Sequence, residues 1–413
     1  MAMNALRSFA ADGPVPLFAA IGQGASAAVD ELCLSSSIAR VASPRHASIL
    51  LVAGEVRMAD REALRRLHDQ IPHPRATVWW DSTECIGTRG TITLTADEDP
   101  LPSLRNLYRR LLTQALPSEG DLLPDEPPVP WRGVGEHGQG GQGMMGGTPY
   151  GRPMAMTGDD LRDGLALDRY IVELGPFLPT LPPGLILEIT LQGDVIQRAK
   201  VIQPPYPLNS IWDASGAASR PVATAMQVEK GRAAHRLRCI AGWLTIQQLL
   251  PQAELCRRLA SSIEHGEALA LRDVRKALRR SGAFVAIPSE LGRIDPSLAS
   301  ALGGVALTAR DRVHQWVDEA ELALHAASVL EPAQTDATQN RLHTRIPEHP
   351  LGSGGRLPFS FAELLAGLEW SEALLVIASF DVPALCRMSP APRTSDQTAE
   401  RVHPSKHATE QAR

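Results

Sequence analysis

Ser43-Pro44-Arg45-His46-Ala47-Ser48-Ile49-Leu50-Leu51-Val52-Ala53-Gly54 is the stretch on which the fold turns. Ile49 to Ala53 is an unbroken apolar run, and Gly54 ends it. A run without polar alternation predicts a strand buried on both faces, as in a parallel sheet covered by helices. Upstream, Val15 to Ile21 reads as a short apolar strand, and Ala25 to Val41 is helical in composition. Downstream, Asp60 is placed to cap a helix running to Gln70, with Leu64 and Leu67 on one side. Pro72 and Pro74 break that helix, and Ala76 to Trp80 is the next strand. Leu101 to Leu116 then gathers Leu104, Leu107, Tyr108, Leu111 and Leu112 on one helical face. Strand and helix alternate throughout residues 14–116, which predicts a small α/β domain.

The alternation stops at residue 117. Residues 117–158 are rich in Pro and Gly. Nine of the nineteen residues from Gly133 to Gly151 are glycine, too many for a segment that folds alone, so this reads as a linker or a loop ordered by a partner. Residues 159–205 carry a hairpin signal: Leu185 to Leu191 and Val195 to Ile202 alternate across Gln192-Gly193-Asp194, with Arg169 to Leu174 as a third strand. Residues 206–385 are mainly helical, with the best segments at Ala233 to Leu250, Gln252 to Ser262, Glu267 to Ser281 and Ala309 to Ala327. Phe359 to Ala378 adds one more helix, and the apolar run Leu374 to Phe380 suits a buried strand. Residues 386–413 read as a disordered tail. The expected fold is an α/β domain with a flavodoxin-like, mostly parallel sheet, followed by an α+β domain with a β-hairpin and a helical body.

Composition narrows the function. The net charge is −5 and aromatic residues make up 4%, which disfavours a phosphate-binding surface or a base-stacking platform, so nucleic acid is not the expected partner. Cys33, Cys85, Cys239, Cys256 and Cys386 are dispersed, and no CxxC occurs. That pattern suits reduced thiols rather than a disulfide framework, a zinc site or a locally ligated iron–sulfur cluster. No apolar run nears the ~20 residues that span a bilayer, and the first residues lack the apolar core of a signal peptide. The expectation is a cytoplasmic protein without a transmembrane segment.

Few motifs carry chemistry. Gly138-Gln139-Gly140-Gly141-Gln142-Gly143 matches GxGxxG by letter, but Pro130 to Glu136 before it and Met144 to Gly147 after it are neither strand nor helix. Glu136-His137 reads as a solvated pair in the same stretch. His343 and His349 flank Pro347-Glu348 without a third metal ligand nearby. His68 and Asp69 end a helix, where the dipole favours an imidazolium. Cys85 follows the strand holding Trp79 and Trp80, at the strand end where α/β sites form.

The opening stretch, with Ala63-Leu64-Arg65-Arg66-Leu67-His68-Asp69-Gln70-Ile71-Pro72-His73-Pro74, resembles the small, cluster-bearing subunit of respiratory complex I and of nickel–iron hydrogenases. In that family an "SPR-x-A" turn leads into an apolar strand ending "VAG", and a later helix ends "YDQMP-x-P". The resemblance covers residues 14–116. The family places adjacent cysteines after the first strand, where this chain has Ala19-Ala20-Ile21-Gly22, and a "PGCPP" turn where it has Asp97-Glu98-Asp99-Pro100-Leu101-Pro102. Cys85 alone lies near a family ligand position. Residues 192–199 resemble the "DGE-V-V-x-A" hairpin that opens the complex I large subunit, again without the CxxC pairs of the hydrogenases.

The resemblance implies a retained scaffold whose redox centre is lost. It points to a non-catalytic accessory subunit without cofactor, attached to the inner membrane through the other subunits of an oxidoreductase complex. Two alternatives follow. One is an active oxidoreductase subunit, binding quinone or an iron–sulfur cluster completed by a partner chain, with Cys85, Asp97, Glu98 and Asp99 near its site. The other is an assembly factor.

Overall fold

A computed structural model describes residues 11–88, 92–124, 169–207, 225–265, 272–285, 287–330 and 355–390. The N-terminal unit runs β1 (Val15–Ile21), α1 (Ser26–Leu32), β2 (Ile38–Arg40), β3 (Ile49–Ala53), α2 (Arg61–Asp69), β4 (Ala76–Trp80), β5 (Ile92–Leu94) and α3 (Pro100–Leu112). Its strands form one parallel sheet in the order β2-β1-β3-β4-β5, which is the flavodoxin-like order.

The burial pattern explains why the run at 49–53 is apolar throughout. Every residue of β3 and of β4 is buried, and alternate side chains serve opposite faces. Leu17, Ile49, Leu51 and Val78 meet α1 and α3 on one face. Phe18, Leu50, Val52 and Trp79 meet Leu64, Leu67 and Ile71 of the α2 region on the other. At roughly 1.5–3 kcal/mol per fully buried large apolar side chain, these two layers are the main stabilising term of the unit. In α3, Leu104, Leu107, Tyr108 and Leu111 turn inward, and the Asp99 carboxylate starts the helix by accepting from Leu101 N at 3.0 Å.

Several boundaries move. The helix read over Ala25 to Val41 is only α1; the chain then turns and adds the edge strand β2. Of the segment read as a linker from residue 117, residues 117–124 pack against the α/β unit. The Glu119 carboxylate accepts from Thr77 N at 2.9 Å and from Thr77 Oγ1 at 2.7 Å, and meets His68 Nε2 at 3.1 Å. Asp69 accepts from Leu122 N at 3.0 Å and Leu123 N at 2.8 Å. Arg75, buried, ion-pairs with Asp69 and Asp121. Carboxylates hold this strap, and Leu122 packs against the apolar cluster on the α2 side. Residues 125–158 lie outside the described residues.

The second unit contains β6 (Arg169–Leu174), β7 (Ile186–Gln192) and β8 (Val195–Gln203) as an antiparallel sheet in that order. The hairpin turns at Gly193, whose φ of +62° suits the missing Cβ. Leu187, Ile189, Ile196 and Val201 face a helical body. That body comprises α4 (Ala225–Ile246), α5 (Leu250–Glu264), α6 (Arg272–Arg280), α7 (Pro296–Ala301), α8 (Ala309–Val329), α9 (Trp370–Ala378) and α10 (Val382–Arg387). The run Leu374 to Phe380 is not a strand: Leu374 to Ala378 closes the helix that starts at Trp370, and Ala373, Leu374, Val376 and Ile377 are buried in it. Of the tail drawn from residue 386, Met388 and Ser389 are buried, and residues 391–413 lie outside the described residues. No helix among the described residues is long and apolar enough to cross a membrane.

Candidate functional site

The two units meet beyond the carboxyl ends of the parallel strands, and the seam is polar. Asp60 is buried in the turn before α2, and its side chain does not cap that helix. Its Oδ1 accepts from Gln203 Nε2 at 2.8 Å, and its Oδ2 accepts from Tyr206 Oη at 2.6 Å. Arg57 completes the lock. Its guanidinium donates to the carbonyls of Pro204 and Pro205, each at 2.9 Å, and to Gly184 O at 3.3 Å. The same guanidinium lies 4.2 Å from the centre of the Tyr206 ring. Gly184 has a φ of +81°, and a Cβ there would fall 2.6 Å from that ring. Phe177 joins the apolar cluster on the α/β face. Around the edge, Asp30 of α1 pairs with Arg257 of α5 at 3.7 Å, and Glu31 with His265 at 3.4 Å.

Electrostatics at this seam follow from dehydration. Burial raises the Asp60 carboxyl above the usual aspartate range, and the bonds from Tyr206 and Gln203 offset only part of that rise. Burial and the adjacent Asp60 charge push the Tyr206 hydroxyl well up, so it stays a donor.

The strand ends that would hold a ligand in such a sheet are closed by main chain. Gly22 N donates to Ala53 O at 2.7 Å, Gln23 N to Glu55 O at 2.9 Å, and Gly54 N to Trp80 O at 3.0 Å. A Cβ at Gly22 would lie 2.5 Å from Glu55 O and 2.7 Å from Gly54 O. There is therefore no room for a ligating side chain just after β1. Ala19, Ala20 and Ile21 are buried in the core.

Cys85 sits half-buried in the loop after β4, against the cluster of Phe18, Trp79 and Ile86. Burial raises its thiol, and Arg61 beside it offsets only part of the rise, so the thiolate is disfavoured. Glu84 is spent on its own loop, accepting from the N–H groups of Ile86 at 2.9 Å and Gly87 at 2.6 Å. Glu98 accepts from Thr95 N at 2.6 Å and Thr95 Oγ1 at 2.9 Å, and Asp99 caps α3. The structure thus leaves these carboxylates in local turns and does not gather them with Cys85. Among the described residues, no group of three or more His, Cys, Asp or Glu is placed to hold a metal ion. This donor set does not fit a four-iron, four-sulfur cluster, which needs four ligands, usually thiolates.

Comparison of the chain with protein-family models, with curated proteins and with solved structures gives no match.

The other sequence candidates divide. His68 and Asp69 are brought together, with Nδ1 2.7 Å from Oδ1, but inside the network that fastens residues 117–124. Asp69 is held below the usual range although burial alone would raise it, because Leu122, His68 and Leu123 all donate to it. The glycine motif at 138–143, Glu136-His137, His343 and His349 lie outside the described residues. The seam residues Arg57, Gln203 and Tyr206 were not singled out by sequence. The available signal was Pro204-Pro205-Tyr206-Pro207, which sets one of four tyrosines in a rigid, extended stretch.

Proposed function

We propose that this protein is a non-catalytic accessory subunit of a complex I-like or hydrogenase-like assembly, peripheral on the inner membrane through its partners and without a cluster of its own. The observation that carries the reading is what occupies the carboxyl edge of the parallel sheet. In open α/β sheets that edge is the usual ligand crevice. Here, main-chain bonds between the strand ends fill part of it, and the second unit, through Arg57, Asp60, Gln203 and Tyr206, docks beside it. The sequence resemblance supplies the class of assembly. The contact between an α/β unit and a hairpin-plus-helix unit supports it, since the family pairs a small and a large subunit. The edge serves as a docking plate, and the stabilisation comes from apolar and polar burial rather than redox chemistry.

The test is purification of the tagged full chain from membranes with its partners intact. The expected result is oxidoreductase subunits in fixed ratio to this chain. Substoichiometric partners that dissociate on washing would indicate an assembly factor instead. Four iron and four acid-labile sulfides assigned to this chain would overturn the cluster-free reading.

A further inference from the structure

A second feature lies in the helical body, away from the seam. Glu229, Arg232 and Arg236 of α4, Trp316, Glu319 and Leu322 of α8, and the turn Ser379-Phe380-Asp381 line a cavity of about 380 Å³. Its floor is a buried ion triad. Arg236 donates through Nη1 to Asp381 Oδ2 at 2.8 Å, and its Nε lies 2.6 Å from Glu319 Oε2 as an ion pair. Asp381 also caps α10, accepting from Ala384 N at 3.0 Å. Two carboxylates therefore share one guanidinium, and the floor keeps one negative charge in excess.

The rest of the lining does not cancel it. Glu229 and Arg232 pair with each other at 3.2 Å. Arg312 lies behind the wall: it donates to Ser379 Oγ and to the carbonyls of Gly292 and Leu307, and its guanidinium sits 3.9 Å from the Phe380 ring centre. His235, beside Arg236 on α4, lies 3.6 Å from Cys239 Sγ and, after Arg236, also helps to hold the Asp381 carboxyl low, from outside the cavity lining. Although burial opposes it, Arg236 holds Asp381 below the usual range, and Asp381 and Glu319 push Arg236 up. Apolar walls from Trp316, Leu302, Phe380 and Ala323 surround this charge, and low-dielectric walls strengthen the field of a charge at their base. Glu319 is the member that reaches solvent, with 31% of its side chain exposed. Leu322 stands at the mouth, 70% exposed.

We propose that this cavity binds a small organic cation with an apolar body, of the arylalkylamine class. The ammonium donates to Glu319, the solvent-reaching member of the triad, and balances the excess charge, while the hydrocarbon part lies against Trp316 and Leu322. The site stands apart from the assembly reading above and does not depend on it.

Calorimetric titration of the purified full chain with phenethylamine tests this, with 2-phenylethanol as the neutral isostere. The expected result is saturable binding of the amine with one site per chain, and binding of the alcohol weaker by about tenfold or more, as loss of a charge-assisted bond in an apolar site implies. Glu319→Gln removes the acceptor charge and lowers amine affinity by a similar factor. Because Glu319 also supports Arg236, Leu322→Arg is the second variant: it lies at the exposed mouth, outside the triad, and repels the cation without touching the fold. Equal binding of amine and alcohol, amine binding unchanged in both variants, or no saturable amine binding would each overturn the proposal.

Discussion

Replacing Tyr206 with Phe isolates the energetic weight of the seam. The phenyl ring keeps its packing over Gly184 and its place beside Arg57, so the change removes one hydroxyl. That hydroxyl is a buried donor 2.6 Å from a buried carboxylate, and it also accepts from Arg57 N at 3.4 Å. A hydrogen bond to a charged group contributes roughly 1.5–3 kcal/mol, and here its loss leaves Asp60 with Gln203 as its remaining side-chain donor. Tyr206→Phe is therefore expected to lower stability by about 1.5–3 kcal/mol near neutral pH, or about ten- to 150-fold in the folding equilibrium.

The sign of the pH dependence follows from Asp60. The tyrosine bond favours the ionised carboxylate, so its contribution is present when Asp60 is charged and shrinks as the carboxyl protonates. Because burial raises the folded value above the ordinary one, the gap between wild type and variant should begin to narrow above the usual aspartate range. It should fall toward the ~1 kcal/mol of a neutral bond. Urea unfolding followed by tryptophan fluorescence reads both units, through Trp79 and Trp80 in one and Trp243 and Trp316 in the other. A gap below about 0.5 kcal/mol at neutral pH, or one that widens in acid, would refute the assignment of Tyr206 as the charge-assisted donor of the seam.

Three further outcomes follow from the same structure. Leu51→Ala empties a fully buried position in the central strand and should cost about 2–5 kcal/mol in denaturant unfolding. Glu119→Ala strands the Thr77 donors and His68 Nε2, and should cost about 2–3 kcal/mol while making residues 117–124 newly sensitive to limited proteolysis. Asp69 is held low in the folded state, so its contribution is complete above its ordinary value and is lost as pH falls through the depressed one; Asp69→Asn should be less stable at neutral pH, and melting curves should converge with wild type in strong acid.

What the sequence disclosed depended on how local each signal was. Ile49 to Ala53 could be read as an inner strand because burial on two faces leaves no polar alternation, and the Gly193 hairpin because turn chemistry sits beside its strands. Strands β2 and β5 escaped because three residues at a sheet edge show no period. Leu374 to Phe380 misled for the opposite reason: the last turns of a largely buried helix, Leu374 to Ala378, are apolar without interruption, as an inner strand is. Asp60 looked like a helix cap because its local setting is that of one. Its real partner, Tyr206, is 146 residues away, and nothing in either neighbourhood announces the other. Residues 117–124 looked like linker because proline dominates the local impression, while Glu119 acts through Thr77, 42 residues earlier. Cys85 was located correctly at a strand end, but its burial beside Arg61 is a matter of packing.

Arg57 grips the second unit through three carbonyl oxygens, those of Gly184, Pro204 and Pro205. Acceptors of that kind are present whatever side chains the two proline positions carry. The joint should therefore be forgiving of spelling changes at 204 and 205 and intolerant of inserted or deleted residues between Gly184 and Tyr206, which would carry the oxygens out of the guanidinium's reach. A fastening read from chain path rather than from side chains can survive long drift in composition while its geometry stays fixed.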